Sequence, residues 1–400
     1  MSRRSKIIIG VSIALFIIAV LLFYFFYLKK PPTVPDDNGT FPPSSSDETP
    51  PLDGPPVTLP DGALKEGPAL RQLTTTPIAG AIAGIKDGVV RVRYIDRATG
   101  NALEIPATGG EVNRLTNTTI PKVYEALWDK AGSGVILRYL KDDDETIRTF
   151  SARIKSGANG TPGELQGTFL PQDILALALS PSTTELVYLR EEGGRGVVTR
   201  ALFDGSGKTE LWRSPMREWL PAWNVLGTIA LQSKPSVFAG GILLSLNRDT
   251  GVVTPLLSGV RGLTTLESHT LSSVLYSEST NSGFSLNLLT SATGEREPVS
   301  LTTLPEKCVW DKDDTTLYCG VPSSIIGGSY PDAWYQGVVS FADELWSISV
   351  QSGNTSRISP ISLEAGTSLD LIQPALSPDE KFLIFTNKTD GTLWSYQLKK

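Results

Sequence analysis

The hydrophobic pattern of this 400-residue chain changes character twice. An unbroken apolar run, Ile7–Tyr27, contains 21 residues and no charge, which is the length of a helix that spans a hydrocarbon core. Residues 31–60 show no apolar periodicity. From residue 66 onward, short runs rich in β-branched and aromatic residues alternate with Gly, Asn, Asp and Ser turns. The pattern therefore predicts an N-terminal helix, a spacer and an all-β domain.

The apolar run has the features of an uncleaved membrane anchor. Its last five residues, 23–27, are aromatic, as in an interfacial belt, and Lys29 and Lys30 follow. The alternative is a cleaved signal peptide, whose apolar region is normally shorter and followed by small residues. Here the run continues into bulky rings, which favours the anchor.

The basic residues around the run predict its orientation. Arg3, Arg4, Lys6 and the α-amine outnumber the two lysines at the other end, which favours a cytoplasmic N-terminus. We therefore predict a cytoplasmic tail at 1–6 and a single-pass transmembrane helix at 7–28 in the cytoplasmic membrane. The rest of the chain would then lie outside that membrane.

Residues 29–65 are predicted to be a disordered linker. The stretch 31–60 holds ten of the chain's 28 prolines, together with serines and acidic residues. Proline supplies no amide donor and restricts φ, so such a segment forms a semi-rigid, solvated spacer. A proline-rich docking ligand is the alternative.

The all-β region repeats with a period typical of a β-propeller. A short anchor, in most units an aromatic residue or serine followed by Asp, Asn or Pro, precedes each β-rich run. Most anchors follow one another at 42–44 residues, and regular strands at this period indicate one four-stranded blade per repeat. The longer final interval indicates an insertion. The anchors are Lys86-Asp87, Trp128-Asp129, Ser180-Pro181, Trp223-Asn224, Glu267-Ser268, Trp310-Asp311 and Ser377-Pro378.

The two ends of the domain are predicted to complete one blade. Residues 70–74 (LRQLT) resemble residues 112–116 (VNRLT), the fourth strand of an early unit, and the chain stops after a third strand. Pairing the ends removes the exposed edges of an open ring. We predict a propeller over 66–400 with seven blades; six or eight blades and an elongated β-solenoid are the alternatives.

Composition and charge exclude several classes of function. The net charge is −6, and residues 1–30 contain five basic residues and no acid, so the remainder is more acidic still. This balance predicts no nucleic-acid partner. Two cysteines and one histidine exclude a disulfide-rich scaffold, a four-thiolate zinc site and any mechanism that needs two imidazoles.

No sequence motif indicates catalysis. The chain has no Gly-x-Ser-x-Gly elbow, no glycine-rich phosphate loop and no metal-ligand spacing, so we predict no catalytic residue, cofactor or metal. A carboxylate pair of the glycosidase type in the central channel remains the enzymatic alternative.

The two cysteines flank a tight turn. A hairpin that pairs Trp310 with residue 317 also places Cys308 opposite Cys319. Directly opposed residues on antiparallel strands lie within bonding reach, and an extracytoplasmic location permits a disulfide. We predict this disulfide; two buried thiols are the alternative.

The insertion, about residues 322–342, is predicted to join the second and third strands of the sixth unit. It carries Tyr330, Trp334, Tyr335 and Phe341 among glycines, and Trp219, in a link between units, is expected on the same face. Aromatic residues with polar tips are common in recognition loops, so these five residues are candidate partner-binding residues. The alternative is a lid that packs its rings onto the blade.

The remaining polar clusters are expected to be unremarkable. Asp142-Asp143-Asp144-Glu145 lacks the residue order of a calcium loop and is predicted to be a solvated acidic turn. Asp311, Asp313 and Asp314 are predicted to form a turn on the opposite face. His269 is predicted to be a surface histidine.

The repeats resemble a known class of propeller. LSPSTTELVYL (179–189), LSPDEKFLIFTN (376–387) and ELWSISVQSGNT (344–355) resemble TolB-type and WD-type repeats. The layout of tail, helix, stalk and propeller, and above all the stretch from Cys308 to Trp346, resembles a family of envelope proteins from ultra-small bacteria. The resemblance implies a membrane-anchored propeller that works as an envelope scaffold.

The sequence therefore supports a non-enzymatic binding or scaffold protein. The expected partners are the membrane, through the anchor, and an envelope protein or cell-wall polymer, through the propeller. A carbohydrate-active or lytic enzyme and a structural assembly subunit are the two alternatives.

Overall fold

The computed structural model describes residues 67–398, apart from positions 142, 144, 183, 226 and 282. The predicted tail, transmembrane helix and linker lie outside the described residues. Within them, 28 strands form seven four-stranded antiparallel sheets, so the prediction of a seven-bladed all-β propeller is confirmed.

Blades 1–4 each consist of four consecutive strands, numbered from the innermost outward. Blade 1 contains β2 (Ile78–Lys86), β3 (Val89–Asp96), β4 (Ala102–Pro106) and β5 (Asn113–Arg114). Blade 2 contains β6 (Val123–Trp128), β7 (Gly134–Leu140), β8 (Ile147–Lys155) and β9 (Glu164–Phe169). Blade 3 contains β10 (Ile174–Leu179), β11 (Glu185–Glu192), β12 (Arg195–Leu202) and β13 (Thr209–Ser214). Blade 4 contains β14 (Trp219–Val225), β15 (Thr228–Ser233), β16 (Gly240–Asn247) and β17 (Val253–Arg261).

Blades 5–7 follow the same plan, with two short helices added. Blade 5 contains β18 (Thr265–Glu267), β19 (Ser273–Thr280), β20 (Gly283–Thr290) and β21 (Glu295–Val299). Blade 6 contains β22 (Cys308–Trp310), β23 (Thr316–Pro322), β24 (Asp343–Ser349) and β25 (Thr355–Ser359). Blade 7 contains β26 (Leu371–Leu376), β27 (Phe382–Asn387), β28 (Leu393–Gln397) and β1 (Leu70–Gln72). The helices are α1 (Asp332–Tyr335) and α2 (Ile361–Ala365).

The ring closes through the first described strand. β1 pairs antiparallel with β28, with Leu70 opposite Tyr396 and Gln72 opposite Trp394. The N-terminal segment therefore supplies the fourth strand of blade 7, which confirms the predicted closure. Seven buried apolar clusters lie one at each interface between neighbouring blades, including the interface between blades 7 and 1.

The sequence anchors mark the turns between the first and second strands of a blade. Asp129 Oδ1 accepts a hydrogen bond from the Ser133 amide at 2.8 Å, and Asp311 Oδ1 accepts one from the Thr315 amide at 2.7 Å. Ser377 Oγ accepts one from the Phe382 amide at 3.0 Å. Asp and Ser recur at this position because their short side chains satisfy turn amides.

Antiparallel order gives the propeller two distinct faces. The loops between second and third strands and the links between blades lie on one side, which we call the top face. The turns between first and second strands and between third and fourth strands lie on the other, the bottom face. Because β1 is a fourth strand, residue 67 lies at the bottom edge of blade 7, and the chain before it joins the propeller there.

Candidate functional site

The insertion is residues 323–342, between β23 and β24, as expected from the long final repeat interval. It contains the single-turn helix α1 and lies on the top face. Three of its rings are buried in an eighth apolar cluster, together with Phe284 and Leu304. These rings are Tyr330, Trp334 and Phe341.

The insertion reaches over two neighbouring blades. Asp332 accepts hydrogen bonds from the Val237 amide at 2.8 Å and from Ser236 Oγ at 3.0 Å, both in the top loop of blade 4. Ser279 of blade 5 donates to the carbonyl of Tyr330. The insertion therefore ties blade 6 to blades 5 and 4.

The close approach of the insertion depends on Gly262 in the link between blades 4 and 5. Its φ is +62°, and a Cβ atom there would lie 2.9 Å from the Tyr330 carbonyl oxygen. A left-handed backbone with no room for a side chain requires glycine. The link between blades 4 and 5 is thus shaped to receive the insertion.

A group of three buried charges, which we call the ion cluster, lies beneath the insertion. Lys307 ends a 3₁₀ turn, Pro305–Lys307, in the link between blades 5 and 6. Its Nζ lies 2.7 Å from Asp343 Oδ2 and 2.5 Å from Asp370 Oδ1, and all three side chains are fully buried. Buried charges of this kind persist only when paired and hydrogen-bonded.

Asp370 also holds the insertion in place. Its Oδ2 accepts a hydrogen bond from Trp334 Nε1 at 2.9 Å and another from the Phe341 amide at 3.1 Å. The Asp370 amide in turn donates to Asn387 Oδ1 at 3.0 Å. One carboxylate thus joins the insertion, the link between blades 6 and 7, and the link that carries Lys307.

The carboxylate of Asp343 has fewer hydrogen-bond partners than that of Asp370. Its Oδ2 accepts from the Leu371 amide at 2.7 Å and contacts Lys307, whereas its buried Oδ1 has no hydrogen-bond partner. Burial raises the pKa of Asp343 to about 6, and the neighbouring Lys307 charge only partly opposes this rise.

A second polar pair borders the ion cluster. Tyr335, the only exposed ring of the insertion, donates through its hydroxyl to Glu306 Oε1. Burial raises the pKa of the Glu306 carboxyl, while its hydrogen bond with Tyr335 opposes the rise. Loss of hydration and the adjacent Glu306 charge raise the pKa of the Tyr335 hydroxyl well above its ordinary value.

The top face also exposes large apolar side chains, which lie in blades 3 and 4, the insertion and the link to blade 7. Phe238 is 82% exposed in the top loop of blade 4, next to Val237, and Val338 is 74% exposed just after α1. We call Met216, Phe238, Ile326 and Val338 the top-face patch. The full set of these exposed side chains is Leu175, Met216, Leu220, Phe238, Ile326, Tyr335, Val338 and Leu363.

A groove of about 560 Å³ lies on the top face between blades 3 and 4, beside the patch. Leu175, Met216 and Ala239 supply apolar walls. Two exposed ion pairs border it, Glu191 with Arg217 at 3.4 Å and Glu218 with Lys234 at 2.8 Å. Apolar walls with charged rims are typical of protein recognition surfaces.

The predicted binding residues are mostly buried. Tyr330, Trp334 and Phe341 face the blade, which is the arrangement that the lid alternative describes. Trp219 is not in an inter-blade link: it begins β14, and its indole packs edge-on against Trp212 and donates to Ser214 Oγ at 3.0 Å. Trp219 therefore lies at the top end of the innermost strand, but its side chain is buried.

The cysteines occupy the predicted register. Cys308 lies directly opposite Cys319 in the pairing of β22 with β23, and their sulfurs are joined at 2.12 Å. The bridge lies in the core between blades 5 and 6.

The other sequence candidates are turn elements. Asp143 lies in the loop that joins β7 to β8 on the top face. Its Oδ1 accepts a hydrogen bond from the Thr146 amide at 2.8 Å. His269 Nδ1 lies 2.7 Å from Asp314 Oδ1, a contact between the bottom turns of blades 5 and 6 that the sequence did not indicate.

The innermost strands give no adjacent carboxylates. Across all seven of them the only acids are Glu125, within β6 of blade 2, and Glu267, the last residue of β18 in blade 5. Arg138 pairs with Glu125 at 2.6 Å, and Glu267 is buried. The described innermost strands therefore place no two acidic residues on neighbouring blades.

Two features are absent from the described residues. Within residues 67–398, no three His, Cys, Asp or Glu side chains converge so as to hold a metal ion. None of the helices in this range is suited to crossing a membrane.

The ion cluster was missed by sequence reasoning. Its members lie in three separate segments, and Lys307 and Asp370 are 63 positions apart. The only signal was a charged residue placed within an otherwise apolar run, as at Asp370 in SLDLI (368–372). Such charges are far more often solvated.

Comparisons with solved structures support the fold alone. Oligogalacturonate lyase from Vibrio parahaemolyticus aligns over 83% of this chain and 94% of its own, with a TM-score of 0.52 and 10% identity. The β-propeller domain of the Trilobed protease from Pyrococcus furiosus covers 81% of this chain and 98% of its own, with a TM-score of 0.50 and 10% identity. TolB from Acinetobacter baumannii covers 80% and 79%, with a TM-score of 0.43 and 8% identity. No family model and no curated protein matches the chain.

Proposed function

We propose that this chain is a non-enzymatic, membrane-anchored scaffold that presents the top face of its propeller to an envelope protein. The observation that carries the proposal is the top-face patch. Phe238 and Val338 are more than two-thirds exposed, although both belong to loops that are otherwise fixed by hydrogen bonds. Large apolar side chains held in the solvent by ordered loops commonly mark interaction sites.

The position of the chain's connection supports this choice of face. Residue 67, where the described part of the chain begins, lies at the bottom edge of blade 7, on the side opposite the patch. A tether on the bottom face leaves the top face available to a partner. The anchor itself and its location in the cytoplasmic membrane are supported by the sequence pattern.

The residues that make contact differ from those suggested by the sequence. Because Tyr330, Trp334 and Phe341 are buried, they shape the insertion and hold it against the blades. The contacts themselves are assigned to Met216, Phe238, Ile326 and Val338, with Tyr335 at the edge. A protein partner fits these exposed apolar side chains better than a uniformly polar glycan does.

Site-specific photocrosslinking in intact envelopes tests the proposal. A photoreactive residue at Phe238 or at Val338 is expected to capture a discrete partner protein. The matched control is Val252, which is 61% exposed on the bottom face and is expected to capture none. Equal capture at all three positions, or none at any, contradicts the assignment of the top face.

Two outcomes would favour the alternatives. Crosslinks that join two copies of this chain through Phe238 would indicate a structural assembly subunit. Hydrolysis of cell-wall or other glycans by the purified chain, with no captured protein, would indicate an enzyme.

A further inference from the structure

We propose that the side chains of Lys307 and Asp370 react with each other in the folded protein to form an amide bond, without a second enzyme. The reaction joins the Nζ of Lys307 to the Cγ of Asp370 and releases one water molecule. This inference is independent of the proposed function, because it concerns the ion cluster and not the top-face patch.

The two reacting groups are held together and kept from water. Lys307 Nζ lies 2.5 Å from Asp370 Oδ1, and both side chains are fully buried. The Nζ also lies 5.3 Å from the ring centres of Trp334 and Phe341, which cover it. Fixed proximity replaces an encounter in solution, with effective concentrations of about 10⁵–10⁸ M in well-oriented cases. Exclusion of water favours condensation over hydrolysis.

The carboxyl group of Asp370 is positioned for attack. Trp334 Nε1 donates most closely to its Oδ2, at 2.9 Å, and also to its Oδ1 at 3.2 Å, while the Phe341 amide donates to Oδ2 at 3.1 Å. When the nitrogen adds to Cγ, negative charge develops on a carboxyl oxygen, and two fixed N–H donors stabilise it. The other oxygen, Oδ1, faces Lys307 and is the one that leaves.

Asp343 is the proton carrier. A lysine nitrogen attacks only after its ammonium loses a proton, and Asp343 Oδ2 lies 2.7 Å away to accept it. Its unpartnered Oδ1 and the upward shift of its pKa to about 6 suit a carboxyl that takes up a proton and passes it on.

The step balances without another reactant. The Lys307 ammonium gives one proton to Asp343 and a second as the C–N bond forms, and both protons leave with Oδ1 of Asp370 as water. An ammonium and a carboxylate thereby become a neutral amide plus water. No electrons are transferred, and Asp343 ends as it began.

The geometry favours Asp370 over Asp343 as the acceptor. Asp370 has two N–H donors from the insertion on Oδ2, whereas Asp343 has one backbone donor, on the same oxygen that contacts Lys307. The product would connect the link between blades 5 and 6 with the link between blades 6 and 7. Blade 6 would thus lie within a covalent loop.

Mass spectrometry of the full-length chain tests the bond directly. After reduction of the cysteines, the wild type is expected to be lighter than its calculated mass by one water. The Lys307→Met and Asp370→Ala variants are expected to have their full calculated masses. A wild type at full calculated mass overturns the proposal, whether or not the variants fold.

Peptide mapping identifies the joined residues. Trypsin is expected not to cleave after Lys307, and a branched peptide containing Lys307 and Asp370 is expected instead. Lys388, whose Nζ lies 5.1 Å from the Trp334 ring, is the matched control: Lys388→Met should retain the branched peptide. A branch at Lys388 or at Asp343 overturns the assignment.

The role of Asp343 has its own readout. Asp343→Asn is expected to leave most of the chain unlinked, which intact mass reports as two resolved species or as the unlinked species alone. Complete linkage in Asp343→Asn contradicts its role as the proton carrier.

Discussion

The hydroxyl of Thr74 accepts a hydrogen bond from the amide of Leu393, a residue 319 positions later, at 2.9 Å. The Leu393 carbonyl in turn accepts the amides of Leu73 and Thr74. This contact follows β1 directly and continues the closure of the ring into the link that leads to blade 1. The two ends of the domain are therefore joined by side-chain as well as backbone hydrogen bonds.

Replacing Thr74 with Val is expected to lower the free energy of unfolding by about 1–3 kcal/mol, because it leaves the buried Leu393 amide unsatisfied. Urea denaturation monitored by tryptophan fluorescence measures the change. Thr76→Val is the control, since the Thr76 side chain donates an exposed hydrogen bond of 3.4 Å to Asp96, and the Thr76 carbonyl that accepts from Thr74 is kept. Equal effects of the two substitutions would show that Thr74 has no special role in closure.

Removing both cysteines, Cys308→Ala with Cys319→Ala, is expected to destabilise the protein by about 2–3 kcal/mol, because the bridge restricts the unfolded chain. Neither thiol of the wild type should react with an alkylating reagent until a reductant is added. Free alkylation of both cysteines in the oxidised, denatured protein would exclude the bridge.

Trp334→Ala is expected to lower the free energy of unfolding by about 3–5 kcal/mol, since the indole is buried and hydrogen-bonded to Asp370. Val338→Ser, four residues further along the insertion, is exposed and should leave the melting temperature nearly unchanged. In the crosslinking assay, by contrast, Val338→Ser is expected to reduce capture of the partner protein. Lost capture with unchanged melting in Trp334→Ala would instead assign that ring to the partner.

Glu267 makes a pH-dependent contribution to stability. Burial raises its pKa above the ordinary value of 4.5, so the folded protein holds a proton that the unfolded chain releases. The unfolding free energy should therefore fall as the pH rises from 4.5 through the higher folded pKa, with a slope of at most about 1.4 kcal/mol per pH unit.

Glu267→Gln is expected to remove that slope and to be more stable than the wild type at neutral pH. Its neutral amide can still accept from Thr265 Oγ1, which lies 2.8 Å from the carboxyl oxygen in the wild type. Denaturation curves at several pH values measure the difference. The exposed Glu295 provides the matched substitution, Glu295→Gln, and a similar slope change there would contradict the assignment.

The repeat structure could be predicted because its signals are local. Asp129, Asp311 and Ser377 each accept a hydrogen bond from an amide four or five residues later. A short stretch of sequence therefore specifies the turn. Asp87 and Gly88 form a tighter turn with positive φ at both residues, which explains why the anchor Lys86-Asp87 lacks the aromatic residue or serine of most other anchors. The pairing of Cys308 with Cys319 could be predicted for the same reason, because both residues flank one short turn.

The orientation of the aromatic residues could not be predicted in the same way. The sequence indicated an aromatic insertion in blade 6, but the exposure of its rings depends on loops of blades 4 and 5 that lie far away along the chain. Trp219 follows the link directly, and its burial depends on Trp212 and Ser214 at the end of the preceding blade.

By itself, the sequence determined the strand period, the seven blades and the pairing of the chain ends, because alternating apolar residues and turn formers act over a few residues. Only the tertiary structure decided that Lys307, Asp343 and Asp370 share one dry site. Those charges meet because two inter-blade links and the start of β24 come together beneath the insertion, and their burial depends on neighbours that no short stretch of the chain contains.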